Sequence, residues 1–298
     1  MDASPAPRPP WAAMTEARDP WAAATAASRD ERLRLHRRTV RHGDRRYTVV
    51  SLRPSDPWRF GVRIDECTMI TSDVAGTRVL GRLLWGLAFQ RRPDTVLLID
   101  SPHLVPNPYD GLPSPRLAFV PAPLATVDTS AARRLRRQRP SRRPSEGTLT
   151  WNTHSYPDAL AARLAWQRRV WTSGHGVEHT WTEPPRGPEL RVFGDFVTIS
   201  GDRGALRQWA LDLGGAGLFW HADQSCAEPD FGFAFDVHAI RHFRRQVSIA
   251  GRARSEVTGQ DDAPTDPRML SERITRHAEA VAAREPGPWD PLRPMPFG

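Results

Sequence analysis

Two short segments of this sequence carry a carboxylate and an imidazole within three residues of each other. The segment IDSPH contains Asp100 and His103, and the segment WHADQSC contains His221 and Asp223. A carboxylate and a histidine that meet in one cleft can serve as a general acid and a general base, or can bind a divalent metal ion. These four residues are therefore the candidate catalytic residues. The alternative is that each aspartate only caps a turn, which is a frequent role for this residue type.

A pair of histidines four residues apart forms a further candidate. His175 and His179 lie in the segment SGHGVEH. On a helix this spacing places both imidazoles on one face, as a zinc site requires. However, Gly174 and Gly176 favour a loop, and the order of residues differs from the HExxH motif. The pair is thus either a metal site or a structural pair of histidines.

The segment AARRLRRQRPSRRP, residues 131–144, contains no acidic residue. Arginines of this kind can contact nucleic-acid phosphates without regard to sequence, because each neutralised phosphate releases counterions. Pro140 and Pro144 interrupt any long helix, which favours a plain linker. Both interpretations remain open. The candidate residues for binding nucleic acid or another polyanion are Arg133, Arg134, Arg136, Arg137, Arg139, Arg142 and Arg143.

The net charge of +8 is concentrated in two segments. Residues 131–144 carry seven arginines, and residues 29–46 carry eight arginines and three acidic residues. The remainder of the chain therefore has a net charge of −4. The predicted folded parts are mildly acidic, and the basic character belongs to the two short segments.

All 42 basic residues are arginine. The absence of lysine excludes an ATPase of the P-loop type, whose phosphate-binding motif requires a lysine, and it also excludes pyridoxal phosphate enzymes, which require a lysine amine. The residues indicate no other cofactor. Codon bias in a GC-rich coding sequence of bacterial type explains most of the lysine deficit, and selection against lysine modification is the alternative.

The hydrophobic pattern predicts an α/β fold with mixed sheets. The segments CTMITSD, VAGTRVLGRLLWGLAFQRR and DTVLLID have the patterns of a strand, a helix and a buried strand. The segments LRVFGDFVTIS, GDRGALRQWALDL and GAGLFWHAD repeat this order. Asp100 and Asp223 follow the last strand of each repeat, so the duplication predicts that they lie at equivalent strand ends, where open α/β sheets bind ligands.

The predicted organisation has five parts. Residues 1–45 form a disordered tail with a short basic helix over 28–42, whose charge order suits the helix dipole. Residues 46–128 and 148–250 form the two similar α/β units, and residues 129–147 form an Arg/Pro-rich linker between them. Residues 251–298 form a second, largely disordered tail with one amphipathic helix that begins at the cap residue Asp266.

These features favour a non-catalytic binding or accessory protein with a macromolecular partner, either another protein or a nucleic acid bound through the arginine-rich segments. The alternative is a hydrolase or transferase with an Asp/His site, metal-assisted or metal-free, in a cleft between the two units. No run of about 18 apolar residues is present, so we expect no membrane span and a cytoplasmic location.

Overall fold

The computed structural model of the chain describes residues 32–64, 68–138, 144–173, 189–216, 226–227 and 235–284. Within these ranges the chain forms eleven strands: β1 (Arg32–His42), β2 (Arg45–Ser51), β3 (Phe60–Ile64), β4 (Thr68–Ser72), β5 (Thr95–Ile99), β6 (Arg116–Pro121), β7 (Gly147–Asn152), β8 (Glu189–Val192), β9 (Phe196–Gly201), β10 (Cys226–Ala227) and β11 (Phe235–Ile240). The same ranges contain six helices: α1 (Val74–Ala88), α2 (Thr129–Gln138), α3 (Tyr156–Ser173), α4 (Arg203–Gly214), α5 (Phe243–Thr258) and α6 (Pro267–Arg284). None of these helices is both long enough and apolar enough to cross a membrane.

The strands form two mixed sheets. The larger sheet has seven strands in the order β7-β1-β2-β5-β6-β9-β8, and the smaller has four in the order β10-β11-β4-β3. In the larger sheet β2 is parallel to β5 and β6 is parallel to β9, while β5 and β6 are antiparallel. One edge of this sheet, called the turn edge here, contains the β1–β2 turn, the start of β5 and the ends of β6 and β9. The opposite edge, called the Asp100 edge, contains the ends of β2 and β5 and the start of β6.

The main core lies between one face of the large sheet, the small sheet and three helices. The apolar side chains of α1 recur at helical spacing and pack against α4 on this face. Gly81 allows the two helices to approach closely, because a Cβ there would lie 2.7 Å from the carbonyl oxygen of Ala210. Burial of this apolar surface is the main favourable term for folding. The largest side chains of this core that are less than 2% exposed are Trp85, Tyr156, Phe60, Phe119 and Phe235.

The opposite face of the large sheet is covered by α2. Ala131, Ala132 and Leu135 of this helix are buried against side chains from the sheet. The sequence predicts a linker over 129–147, but the structure has a packed helix over its first part and the start of β7 at its end. Three small or apolar residues at helical spacing give the helix a buried face, although four of its ten residues are arginines.

The segment predicted as a basic helix over 28–42 is also different in the structure. Its described part is β1, which pairs with β2 on one side and with β7 on the other. Leu33 and Leu35 are buried and alternate with the exposed Arg32 and Arg34, which is the period of a strand. The helix prediction was wrong because it relied on charge order and gave the leucine alternation too little weight.

The predicted α/β class with mixed sheets is confirmed, whereas the duplication is not. Each predicted strand–helix pair exists, and Asp73 and Asp202 cap α1 and α4 by accepting bonds from the amides of Gly76 and Ala205. However, β4 lies in the small sheet and β9 in the large one. The segment LRVFGDFVTIS forms two antiparallel strands, β8 and β9, instead of one. The last predicted strand of the second unit lies mostly outside the described residues.

The C-terminal part of the described chain is a helical pair. Helix α5 packs against α6 through Ile249, Val257, Ile274 and other apolar residues. The predicted start of α6 is confirmed, because the Asp266 carboxylate accepts a bond of 2.9 Å from the amide of Met269. The predicted disordered tails are too long, because residues 32–45 contain β1 and the β1–β2 turn, and residues 251–284 contain the end of α5 and all of α6. The disorder predicted for the rest of both tails falls on residues outside the described ranges.

Candidate functional site

Asp100 directly follows β5, as the sequence predicts, but its carboxylate is paired. Its side chain is 6% exposed, and Oδ1 accepts bonds from the amide of Ser101 at 2.8 Å and from Nε of Arg116 at 3.0 Å. The charge of Asp100 also acts on the buried Arg38: burial lowers the pKa of Arg38, and the nearby carboxylate opposes this shift. A carboxylate with these partners stabilises the Asp100 edge of the sheet and is poorly placed to exchange protons with a substrate.

His103 is held by the loop that precedes β3. Its ring nitrogens Nδ1 and Nε2 lie 2.9 Å from the carbonyl oxygen of Trp58 and 3.0 Å from that of Arg53. The residue is 3% exposed, and burial lowers the pKa of its imidazole. Because both nitrogens face backbone carbonyls, neither is available as a general base or a metal ligand. His103 therefore connects two loops at the Asp100 edge.

The other half of the predicted catalytic cluster lies outside the described residues. This applies to His221 and Asp223, so their convergence with Asp100 stays a prediction. His175 and His179 also lie outside the described ranges, and their role as metal ligands stays a prediction. Among the residues that the structure describes, no group of three His, Cys, Asp or Glu side chains is arranged to hold a metal ion.

The arginine-rich segment forms a site that the sequence only partly predicts. Helix α2 buries its apolar side and exposes four arginines on the outer side, which are Arg133, Arg134, Arg136 and Arg137. Arg139, Arg142 and Arg143, the other members of the predicted polyanion site, lie outside the described residues. A helix packed on a sheet holds its side chains in a fixed arrangement, which a flexible linker would not provide.

Both ends of α2 are fixed to the body of the protein. At its start, the Asp128 carboxylate accepts bonds from the hydroxyl of Ser130 at 2.6 Å and from the amide of Ala131 at 2.7 Å, and these bonds lower the pKa of Asp128. Nε2 of His42 lies 2.8 Å from the same hydroxyl. At the other end, Nη1 of Arg116 donates a bond of 2.7 Å to the carbonyl of Arg136. The helix therefore crosses the sheet from the turn edge to the Asp100 edge.

The four exposed arginines differ in their partners. Arg136 pairs with the exposed carboxylate of Asp195, and Arg134 is oriented towards the carbonyl of Arg41. In the described part of the chain, the side chains of Arg133 and Arg137 make neither an ion pair nor a hydrogen bond. These two residues are four positions apart, so their side chains project from the same side of the helix. Two unpaired guanidinium groups and two partly engaged ones form the outer surface of α2.

One arginine of β1, Arg38, is buried instead. Arg38 is 4% exposed and donates a bond of 3.1 Å to the hydroxyl of Ser51. On the same face of β1, Nδ1 of His36 is buried without a hydrogen-bond partner. Burial lowers the pKa of His36, and the positive charges of Arg38 and Arg53 lower it further. The helix predicted over 28–42 gave no sign that Arg38 and His36 share a buried face. The alternation of arginine and leucine, which is typical of a strand, could have predicted it.

Comparison with models of known protein families, with curated proteins and with solved structures found no match. The functional proposal therefore depends on the geometry and charge of the described residues.

Proposed function

We propose that this chain is a non-catalytic binding protein that holds a nucleic acid by its phosphate backbone, through the outer arginine surface of α2. The observation that carries the proposal is that Arg133 and Arg137 are exposed, unpaired within the described residues, and fixed on a helix anchored at both ends. Guanidinium groups have the planar donor geometry that matches phosphate oxygens.

The arrangement favours contacts to phosphates over contacts to bases. After its first two residues, the exposed side chains of α2 are all arginines, and the apolar residues of the helix point into the sheet. Phosphate contacts position a protein on its nucleic acid without reading the sequence. Binding should therefore be tolerant of sequence and should weaken steeply as the salt concentration rises.

The rival function, a hydrolase or transferase with an Asp/His site, receives less support from the described residues. Asp100 is paired with Arg116, and His103 faces two carbonyl oxygens. Both side chains serve the stability of the Asp100 edge, so the pair offers no group ready to move a proton. The assignment of His221 and Asp223 to such a site stays a prediction.

The test compares two triple variants of the full chain. The first replaces Arg133, Arg134 and Arg137 of α2 with glutamine, and the matched control replaces Arg268, Arg276 and Arg284 of α6, so that both lose three positive charges. Labelled DNA and RNA, single-stranded and duplex, are titrated at 50 and 200 mM salt.

We expect the α2 variant to bind at least about tenfold more weakly at low salt. The salt slope, which is the slope of log affinity against log salt concentration, should become shallower by about 0.9 for each phosphate that the variant leaves without an arginine. The control should bind like the wild type.

Two outcomes would overturn the proposal. One is that the wild type binds none of the nucleic acids at low salt. The other is that the α2 variant and the α6 control weaken binding equally, since this would mean that net charge and not the helix surface determines affinity. Far-UV circular dichroism and the melting temperature of each variant check that folding is retained, and we expect each exposed substitution to change stability by less than about 0.5 kcal/mol.

A further inference from the structure

A solvent-exposed aromatic ring lies at the end of α1, on the side of the large sheet opposite to α2. Phe89 is 42% exposed, although most other large apolar side chains near it are buried. It follows the last residue of α1 and contacts the buried Trp85, whose ring centroid is 5.3 Å away at a tilt of 53°. A phenylalanine that keeps so much of its surface in water offers a face to which a planar group can bind.

Two arginines of α4 flank this ring. The guanidinium carbon of Arg203 lies 5.9 Å from the Phe89 centroid, and that of Arg207 lies 5.7 Å from it. Arg203 is fixed by a bond of 3.1 Å from its Nε to the carbonyl of Ala88, and both arginines are exposed. Cations over an aromatic face are attracted to its π system, so the two guanidinium groups are held over the Phe89 ring.

A groove begins next to these residues. It has a volume of about 460 Å³ and is lined by Ala88, the loop that follows β6 and the first residues of α4. Leu124 lies in this loop and is 38% exposed. The groove therefore combines apolar walls with the cationic side chain of Arg203 at the turn edge of the large sheet.

Exposed arginines connect this groove to α2 along the turn edge. The loop before β5 contacts the loop that follows β6 and lines the groove, because the amide of Asp94 donates a bond of 3.0 Å to the carbonyl of Leu124. The β1–β2 turn contacts the loop that follows β6 as well, because Nη1 of Arg45 donates a bond of 3.0 Å to the carbonyl of Thr126. The exposed arginines of this path, named the basic rim here, are Arg41, Arg45, Arg46, Arg91, Arg92, Arg203 and Arg207.

Acidic residues on the basic rim are fewer and partly engaged. Asp94 pairs with Arg45, and the Asp202 carboxylate caps α4 through the amide of Ala205. Asp128 is bound to the start of α2 in the same way. Asp44, in the β1–β2 turn, is exposed. The rim therefore carries an excess of positive charge, which is complementary to a polyanion and unfavourable for a basic partner.

We infer that the nucleic acid is single-stranded, that its backbone follows the basic rim from α2, and that one of its bases stacks on Phe89. This inference rests on the proposed function. Proteins that bind single strands combine a positively charged path for the backbone with aromatic side chains on which bases stack. A duplex offers its phosphates to the arginines but keeps its bases paired, so it gains nothing from Phe89 except at its ends.

The test uses substitutions at Phe89 in the full chain. Phe89→Leu keeps an apolar side chain without an aromatic face, Phe89→Trp keeps the face, and Met269→Leu, on α6, is a control at another exposed apolar residue, 60% exposed. Each variant is titrated with a labelled single strand and with a duplex of the same sequence and no overhang. We expect Phe89→Leu to weaken single-strand binding about tenfold, in the lower part of the range for loss of one stacked base, and to leave duplex binding unchanged. Phe89→Trp and Met269→Leu should bind like the wild type.

The outcomes separate this inference from the proposed function. If the α2 variant loses affinity but Phe89→Leu binds single strands normally, the inference is wrong and the proposed function stands. If neither variant changes binding, both are wrong. An acidic poly-glutamate peptide is titrated in parallel. If Phe89→Leu weakens binding of this peptide as much as it weakens binding of the single strand, the basic rim fits an acidic protein partner and the inference is wrong.

Discussion

In β1 arginines alternate with leucines along an internal strand, whereas in α2 they occupy the outer side of a helix. The two elements belong to the two segments in which the net positive charge of the chain is concentrated, yet their arginines have different environments. Arg38 of β1 is buried and bonded to Ser51, while Arg133 and Arg137 of α2 are exposed. The position of the apolar residues decides which arginines remain available to a ligand, and the number of charges does not.

The comparison predicts opposite costs for removing an arginine from each segment. Arg38→Met leaves the Ser51 hydroxyl and the nearby Asp100 with one positive partner fewer in a buried place. We expect the free energy of unfolding to fall by about 3 kcal/mol, at the lower end of the cost of breaking a buried pair, because Arg116 still pairs with Asp100. Urea denaturation measures this change.

Arg34→Met, at an exposed position on the same face of β1, is the control and should lower the free energy of unfolding by less than about 0.5 kcal/mol. Equal costs for the two variants would remove the distinction between buried and exposed arginines.

A second prediction concerns the attachment of α2. Leu135 is 1% exposed and packs with Ala131 and Ala132 against the sheet. Leu135→Ala should lower the free energy of unfolding by about 2 to 3 kcal/mol, because it removes buried apolar surface and leaves a cavity. It should also weaken nucleic-acid binding, since the helix is then held less firmly. An unchanged melting temperature would indicate that the segment is a linker after all, as its composition suggests.

The fold was predictable where one element carries its own pattern. The apolar run of β5, the amphipathic α1 and the capped start of α6 are confirmed. The identities of β1 and α2 were missed because their partners are far away in the sequence: β1 pairs with residues as distant as Asn152, and α2 uses a sheet formed before and after it. Strand propensity depends strongly on such neighbours.

The candidate site shows the same limit. Asp100 lies at the predicted strand end, but its partner Arg116 belongs to an antiparallel strand that no local pattern places beside it. The carbonyl oxygens that face His103 belong to residues 45 and 50 positions earlier in the chain, and no local motif predicts this contact. A short Asp/His cluster therefore indicated where polar residues meet, but not whether their side chains are already engaged.

A third prediction sharpens the contrast within α2 itself. Arg136 is paired with Asp195, and both side chains are about half exposed. Asp195→Asn removes one negative charge beside the helix and frees Arg136 for a phosphate. We expect nucleic-acid affinity at low salt to rise about threefold and the salt slope to steepen by about 0.9, the value for one additional phosphate contact. Stability should change by less than about 1 kcal/mol, because exposed ion pairs contribute little. A lower affinity would mean that Asp195 is needed to position Arg136.

The smallest expected effect concerns His36, which lies on the same face of β1 as Arg38. Burial lowers the pKa of His36, and the charges of Arg38 and Arg53 lower it further. The unfolded chain therefore binds a proton at this residue at a higher pH than the folded chain does. The sign follows from linkage: the folded state loses stability as the pH falls through the unfolded value of about 6.5, and the loss levels off below the lower folded value. His36→Gln cannot take up this proton, so its melting temperature should depend less on pH between 7 and 5 than that of the wild type.

The matched control is His277→Gln on α6, where the ring contacts the exposed carboxylate of Glu256. If His36→Gln and the wild type lose the same number of degrees between pH 7 and pH 5, the imidazole is not held neutral by burial and by the charges of Arg38 and Arg53.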